Sequence, residues 1–178
     1  YETRHFHEGN REPVSFWLNG KEIPFGTDLL FQETEMDGLR VGCEICEDIW
    51  VPLSPSISHA MEAATILVNL TASNETIGKD SYRELLVKSA SAKLIAGYIY
   101  CSCAGGESTQ DLVFGGHDLI AENGTILTQS KKFESQIIYG DIDIKRLQME
   151  RRRMSSFTGE DTTHDLILPF TLHNERTK

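Results

Sequence analysis

The sequence predicts a layered α/β protein with a mixed sheet and helices outside it, and three segments carry this prediction. Apolar and polar residues alternate over 39–45, which is typical of a strand. Residues 65–70 are almost all apolar, as in a strand buried on both faces. Between that strand and another at 98–103, apolar residues recur at helical spacing over 82–94. Strand, helix and strand therefore follow one another through the middle of the chain.

The first part of the chain predicts a hairpin that leads into the central strands. Residues 14–18 and 21–25 are strand-like and flank Asn19-Gly20. This dipeptide favours a type I′ turn, because both of its central positions need positive φ. A further strand is expected over 25–31, and Met36-Asp37-Gly38 turns the chain into the central strand.

Two helices are expected on either side of the apolar strand at 65–70. The first begins at Ser54-Pro55, since serine caps a helix well and proline suits its first turn. The second is expected to be capped by Asp80 or Ser81 and to end before Gly97. Residues at the spacing of one face of this helix are Tyr82, Leu85, Leu86, Ser89, Ala90, Lys93 and Leu94.

The last part of the chain predicts an antiparallel meander followed by a charged helix. Short apolar segments alternate with turns at 112–114, 118–121 and 125–127. A strand is expected over 136–143 and a charged helix over 144–154. The apolar pattern then fades, apart from a patch at 166–170 that either docks on the body or leads to another domain.

Length and charge limit the classes of protein to which this chain can belong. A chain of 178 residues suits one domain, and its net charge of −10 argues against nucleic acid or an anionic membrane as partner. No apolar run approaches the roughly 20 residues that a membrane helix needs. The chain has no secretory signal, so we expect a cytoplasmic protein without disulfides. It opens mid-motif at Tyr1-Glu2, so we also expect a piece of a longer protein.

Cys46 is the candidate nucleophile, because it ends the strand at 39–45 and is followed by Glu47-Asp48. A cysteine on a sharp turn after a strand is where α/β enzymes often expose a nucleophile. Acidic neighbours alone would raise its pKa, so an activating base or cation must come from elsewhere in the fold. Cys43 lies on the apolar face of the same strand, and we expect it to be buried.

The four cysteines leave two other interpretations open. Cys43 and Cys46 form a C-x-x-C pair, and Cys101 and Cys103 form a C-x-C pair. Zinc ligands usually sit on tight knuckles, whereas both pairs lie in or beside strands, so we expect no metal site. Cys46 could also be a small buried apolar side chain, since free cysteine is among the most buried residue types.

Several motifs together resemble a known family. The segment Glu44-Ile45-Cys46-Glu47-Asp48-Ile49-Trp50-Val51-Pro52 is similar to the nucleophile motif of the nitrilase superfamily, and in its full length to the glutaminase domain of glutamine-dependent NAD synthetases. Further matching segments are 25–31, 69–73, 76–79, 106–113 and 122–124. The resemblance implies a four-layer αββα sandwich, with 1–157 as its C-terminal part and 158–178 as a tail or linker toward a synthetase domain. It also implies that such units pair in a homo-oligomer.

The resemblance implies a role for six side chains. Cys46 is the nucleophile that attacks the side-chain amide of glutamine, releases ammonia and leaves a γ-glutamyl thioester for water to hydrolyse. Glu2 is the orienting glutamate of the superfamily. Ser73 and Lys79 hold the α-amino-acid end of glutamine, and Lys79 stands where some relatives have arginine. The pocket is lined by Glu47 and Trp50.

The resemblance implies no cofactor in this domain and places ATP, Mg²⁺ and deamido-NAD in the synthetase domain. It also implies that catalysis needs a glutamate base and a lysine, which lie N-terminal to the matched region and are not among these residues. The 178 residues alone are therefore expected to be inactive. A stand-alone nitrilase-type amidase and a non-catalytic fragment remain the alternative functions.

Overall fold

A computed structural model describes residues 7, 9, 12–104, 106, 112–157 and 165–172. The first half of this part of the chain contains β1 (Val14–Leu18), β2 (Lys21–Phe25), β3 (Leu29–Glu33), β4 (Arg40–Ile45), a 3-10 helix (Cys46–Trp50), α1 (Pro55–Met61) and β5 (Ile66–Thr71). The second half contains α2 (Lys79–Leu94), β6 (Gly97–Ser102), β7 (Leu119–Glu122), β8 (Thr125–Gln129), α3 (Ile144–Arg153) and β9 (Leu166–Phe170). None of the helices in these residues is both long and apolar enough to span a membrane.

Seven of the strands form one mixed sheet in the order β8-β7-β6-β5-β4-β3-β9. β4, β5 and β6 run parallel, while β7, β8 and β3 join antiparallel. β1 and β2 form a separate hairpin. Its turn confirms the sequence prediction, since Asn19 and Gly20 have φ of 51° and 74°.

Helices α1 and α2 cover one face of the sheet. A Cβ on Gly42 of β4 would lie 2.8 Å from the His59 side chain of α1, so β4 and α1 pack closely there. Since side chains alternate along a strand, Glu44 points to the same face. The buried apolar core between sheet and helices includes Leu30, Ala60, Leu67, Val87, Tyr98, Tyr100, Leu119 and Ala121. The mixed α/β architecture agrees with the predicted fold class, of which these residues supply one sheet with its helices.

The opposite face of the central strands is open and apolar. Ile45 is 65% exposed and Leu70 is 55% exposed, and Cys43 and Cys101 are exposed as well. The prediction that Cys43 is buried was therefore wrong. The alternation correctly placed Cys43 with Ile45, but the helices cover the other face, which carries Gly42 and Glu44. The prediction that β5 is buried on both faces was wrong for the same reason.

Helix α2 begins earlier than predicted and buries a different face. Its N-cap is Gly78 at φ 79°, not Asp80 or Ser81. The residues that it buries are Arg83, Val87, Ser91 and Leu94. Tyr82 and Leu85 are at least half exposed, since they point away from the sheet. The apolar spacing did not indicate the buried face of α2, because the first residue of that face is Arg83 and another is Ser91.

The later part of the chain departs from the predicted meander. β7 and β8 form a hairpin at Asn123-Gly124, but 136–143 contains no regular strand. The segment 112–114 contributes only a bridge between Phe114 and Asn74. The patch at 166–170 docks on the body, because β9 pairs in parallel with β3. Asp165, next to β9, is hydrogen-bonded to α1, with its Oδ2 2.7 Å from His59 Nδ1.

Candidate active site

Cys46 stands at the carboxyl end of β4, where the chain turns into the 3-10 helix. Its φ is 50°, in the left-handed region that side chains other than glycine rarely adopt. Such strained positions cluster at functional sites and expose the side chain at the top of a sheet. The turn is supported by Asp48, whose carboxylate accepts a 2.8 Å hydrogen bond from the Ile45 N–H. Glu47 is exposed beside it.

A buried polar network lies directly beneath this turn. Glu44 is 3% exposed and accepts hydrogen bonds from the Tyr98 hydroxyl, the Ser56 N–H at 3.0 Å and Asn69 Nδ2 at 3.3 Å. Asn69 Nδ2 also donates to the Cys46 carbonyl at 3.3 Å. Burial, with the Glu44 carboxylate as a second cause, raises the pKa of Tyr98, which therefore remains a donor. The network fixes the backbone of Cys46 from below.

Sequence reasoning missed the role of Glu44. It occupies a polar position in an alternating strand, which ordinarily faces water. The only signal was its place two residues before the candidate nucleophile. Its burial depends on Tyr98 and Asn69, which reach it from neighbouring strands, and such pairing cannot be read from one segment.

The loop between β5 and α2 forms the second wall of the site. Ser73 is 5% exposed, and its Oγ has no hydrogen-bond partner among the described residues. Lys79 is the first residue of α2, and its Nζ donates to Asn74 Oδ1. The same Nζ lies 5.3 Å from the centre of the Trp50 ring, within cation–π range. The Trp50 ring in turn contacts that of Tyr82 at 5.2 Å between centroids.

The pKa of Lys79 depends on its burial and on the charges around it. Burial, and then the nearby Arg83 guanidinium, lower the pKa of Lys79, while Cys46 and Glu75 act in the opposite direction. Cys46 begins the 3-10 helix that ends at Trp50, and Lys79 Nζ lies 5.3 Å from the Trp50 ring, so this short helix links the candidate nucleophile to Lys79. Cys46, Trp50 and Lys79 therefore belong to one site, with Ser73 on its loop and Glu47 at its rim. Glu2 lies outside the described residues.

We predict that Cys46 is the thiol alkylated first in the native protein. Both side chains are exposed, but the neighbouring strands partly desolvate them, which raises the pKa of Cys43 and of Cys101, so each carries less thiolate at neutral pH than an ordinary cysteine. Brief treatment with iodoacetamide near pH 7, followed by peptide mass mapping, should label Cys46 first. Labelling of Cys43 and Cys101 should catch up only as the pH rises. Earlier labelling of Cys43 or Cys101 would contradict this assignment.

Comparison with known proteins gives matches over most of the chain. Residues 1–152 match the family described as carbon-nitrogen hydrolase. Glutamine-dependent NAD(+) synthetase of Mycobacterium tuberculosis strain H37Rv is 40% identical over 166 residues, which are 92% of this chain and 24% of that protein. The corresponding synthetase of Mycobacterium leprae is 40% identical over 174 residues, or 96% of this chain and 25% of that protein. The chain thus spans about a quarter of the length of these relatives.

Solved structures show the same relationship. The crystal structure of a glutamine-dependent NAD(+) synthetase from Cytophaga hutchinsonii matches with a TM-score of 0.61 and 31% identity, covering 74% of this chain and 20% of that one. Saccharomyces cerevisiae Nit3, a member of the nitrilase superfamily, matches with a TM-score of 0.56 and 22% identity. The match covers 66% of this chain and 42% of Nit3, and it shows that the two chains share a fold. With the family match extending over most of its length, the chain belongs to the carbon-nitrogen hydrolase family.

Proposed function

We propose that this chain is the C-terminal part of the glutaminase domain of a glutamine-dependent NAD synthetase. In this role it hydrolyses the side-chain amide of glutamine to glutamate and ammonia, and the ammonia amidates deamido-NAD in a synthetase domain. The observation that carries the proposal is Cys46, held at positive φ at the end of β4, where it begins the short helix whose Trp50 ring lies within cation–π range of Lys79 Nζ. The synthetases at 40% identity give the reaction class.

The chemistry proceeds by nucleophilic catalysis. Cys46 Sγ attacks the amide carbon of glutamine, the C–N bond breaks, and the nitrogen leaves as ammonia after it gains a proton. The γ-glutamyl thioester that remains is hydrolysed by water to glutamate and free thiol. The backbone N–H after Cys46 begins the 3-10 helix and is placed to stabilise the oxyanion. The Glu44–Asn69–Tyr98 network holds the nucleophile's backbone in position.

The substrate's α-amino-carboxylate end is assigned to Ser73 and Lys79. The Lys79 ammonium supplies a charge for the carboxylate, although without the two-pronged geometry of arginine. The buried Ser73 Oγ, which has no partner among the described residues, supplies a hydroxyl beside it. Trp50 and Glu47 line the remaining wall.

Lys79→Ala should raise the KM for glutamine about 10- to 100-fold, because one charged hydrogen bond contributes roughly 1.5–3 kcal/mol. Synthesis of NAD with ammonia as nitrogen donor should be unchanged, since ammonia bypasses the glutamine site. Steady-state kinetics with both donors measures this. An equal loss with ammonia would make Lys79 a structural residue.

The open face of the sheet supports the proposed partners. Ile45, Leu70, Cys43 and Cys101 form an exposed apolar surface of a kind that proteins normally cover. We assign this surface to the N-terminal half of the domain, as the second sheet of the sandwich. Pairing of such units in a homo-oligomer, a cytoplasmic location, and ATP, Mg²⁺ and deamido-NAD in a synthetase domain complete the proposal.

Glutamate release by the full-length protein tests this function. Purified protein with ATP, Mg²⁺ and deamido-NAD should form NAD with either glutamine or ammonia, and should release glutamate only in the first case. Hydrolysis of other amides with no NAD formed would indicate a stand-alone amidase instead. Absence of any amide hydrolysis would indicate a non-catalytic role.

A further inference from the structure

Beneath the loop that carries Ser73 lies a buried ion pair that neither sequence motif nor catalysis accounts for. Arg83 is 1% exposed, and its Nη1 and Nη2 donate to Glu75 Oε2 at 3.2 and 3.1 Å. Glu75 is itself almost fully buried. Burying two charges costs free energy that only good geometry offsets, and an apolar pair of similar volume often serves stability equally well. The pair therefore requires an explanation other than stability.

Arg83 is anchored to the body of the fold on a second side. Its Nη1 lies 3.1 Å from His117 Nδ1, and arginine can only donate, so Nδ1 accepts and the imidazole is neutral. The proton of that ring is then on Nε2, which donates to Gln129 Oε1 at 3.1 Å. The guanidinium carbon also lies 6.0 Å from the centre of the Tyr100 ring. Arg83 therefore contacts β6 through Tyr100, and it is linked to β8 through His117 and Gln129.

Glu75 is held from the loop side as well. Its N–H donates to the Val113 carbonyl at 2.6 Å, and neighbouring Asn74 forms a bridge with Phe114. A Cβ on Gly115 would lie 2.6 Å from Glu75 Oε2, so the glycine leaves room for the carboxylate in its present position. The loop is clamped between Arg83 and residues 113–115.

Each residue of the ion pair is close in the chain to one of the groups assigned to the substrate. Ser73 is two residues before Glu75. Lys79 is one helical turn before Arg83, on the same side of α2. Besides burial, which lowers the pKa of Lys79, the Arg83 guanidinium lowers this pKa further and the Glu75 carboxylate raises it. Glu75 therefore offsets the repulsion that a buried guanidinium would exert on Lys79.

We propose that the Arg83–Glu75 pair is a positioning device that sets the geometry of Ser73 and Lys79, and so the affinity for the α-amino-carboxylate end of the substrate. It does not touch the substrate. The inference rests on the proposed glutaminase function and adds two residues to it. Its expected signature is a loss of glutamine affinity without loss of the nucleophile.

Glu75→Gln in the full-length protein removes the charge and keeps the shape. The KM for glutamine should rise about 10-fold or more, because a buried guanidinium loses the negative charge that compensates it, while kcat changes much less. Alkylation of Cys46 by iodoacetamide, which has no α-amino-carboxylate, should keep its rate. The glutamine concentration that protects Cys46 from alkylation should rise with the KM.

Glu84→Gln is the matched control. It makes the same change on α2 next to Arg83, but its partner Lys88 lies 3.9 Å away at the surface. An exposed pair of this kind contributes little, so its kinetics should equal those of the wild type. Arg83→Lys keeps the positive charge but loses the two-pronged hydrogen bonding of the guanidinium. Its KM for glutamine should lie between those of the wild type and Glu75→Gln. This variant also tests the proposal if Glu75→Gln does not fold.

An unchanged glutamine KM in Glu75→Gln, or in Arg83→Lys if that variant alone folds, would overturn the proposal. A parallel slowing of Cys46 alkylation would overturn it too, since the pair would then support the whole site. Wild-type protein that alkylates at Cys46 but neither hydrolyses glutamine nor is protected by it would instead refute the proposed function.

Discussion

Replacing Cys46 with alanine in the full-length protein will abolish glutamine-dependent NAD formation and leave ammonia-dependent formation intact. The thioester cannot form without the thiol, and loss of a nucleophile that acts with its partners as a unit costs at least about 10⁴-fold in kcat. Ammonia reaches the synthetase reaction without passing through Cys46. The two nitrogen donors, compared in one preparation, measure the effect.

Cys43→Ala is the control for this experiment. Cys43 lies three residues earlier on the open face of β4, away from Glu44 and the helices. Its loss should change glutamine hydrolysis by less than a few-fold, because it makes no contact in the proposed site. A loss in Cys43→Ala as large as in Cys46→Ala would place the chemistry on the wrong cysteine.

The second large effect concerns the 178 residues expressed alone. Among the described residues, no carboxylate or imidazole hydrogen-bonds to Cys46 Sγ, and Lys79 Nζ already donates to Asn74. The base and the lysine of the superfamily are expected in the N-terminal half. Loss of a general base costs about 10²–10⁴ in rate, and loss of an oxyanion donor about 10²–10³ more. Glutamate release should therefore be negligible.

Adding the N-terminal half as a separate chain should restore activity. It would supply the missing groups and cover the apolar face that carries Ile45 and Leu70. Glutamate release, followed with each chain alone and with both together, measures the effect. Ready turnover by the 178 residues alone would show that the activating groups lie within them.

Local chemistry made much of the fold predictable. Asn19-Gly20 specified a type I′ hairpin, and the apolar run at 65–70 specified a central strand. The faces of the elements were less predictable, because burial depends on what packs from elsewhere. In β4 the covered face carries Gly42 and Glu44, where Gly42 lets α1 approach and Glu44 meets Tyr98 of β6. In α2 Arg83 is buried because Glu75 and His117 meet it.

In the candidate site, too, local sequence indicated some residues, while others depend on contacts from distant segments. The place of Cys46 after an alternating strand predicts it as nucleophile, and motif resemblance predicts the roles of Ser73 and Lys79. Glu44, Asn69 and the Arg83–Glu75 pair were missed, since each is defined by partners from distant segments. A buried charge and its partner leave no periodic signal in a sequence, and only the fold brings them together.

Trapping the covalent intermediate tests directly whether Cys46 is the nucleophile. Full-length protein mixed with glutamine is quenched in acid within the first turnovers, digested and analysed by mass spectrometry. We expect a γ-glutamyl thioester on the peptide that contains Cys46, present in wild type and absent in Cys46→Ala. Ammonia release in a first-turnover burst with unmodified Cys46, or with the adduct on another residue, would contradict it.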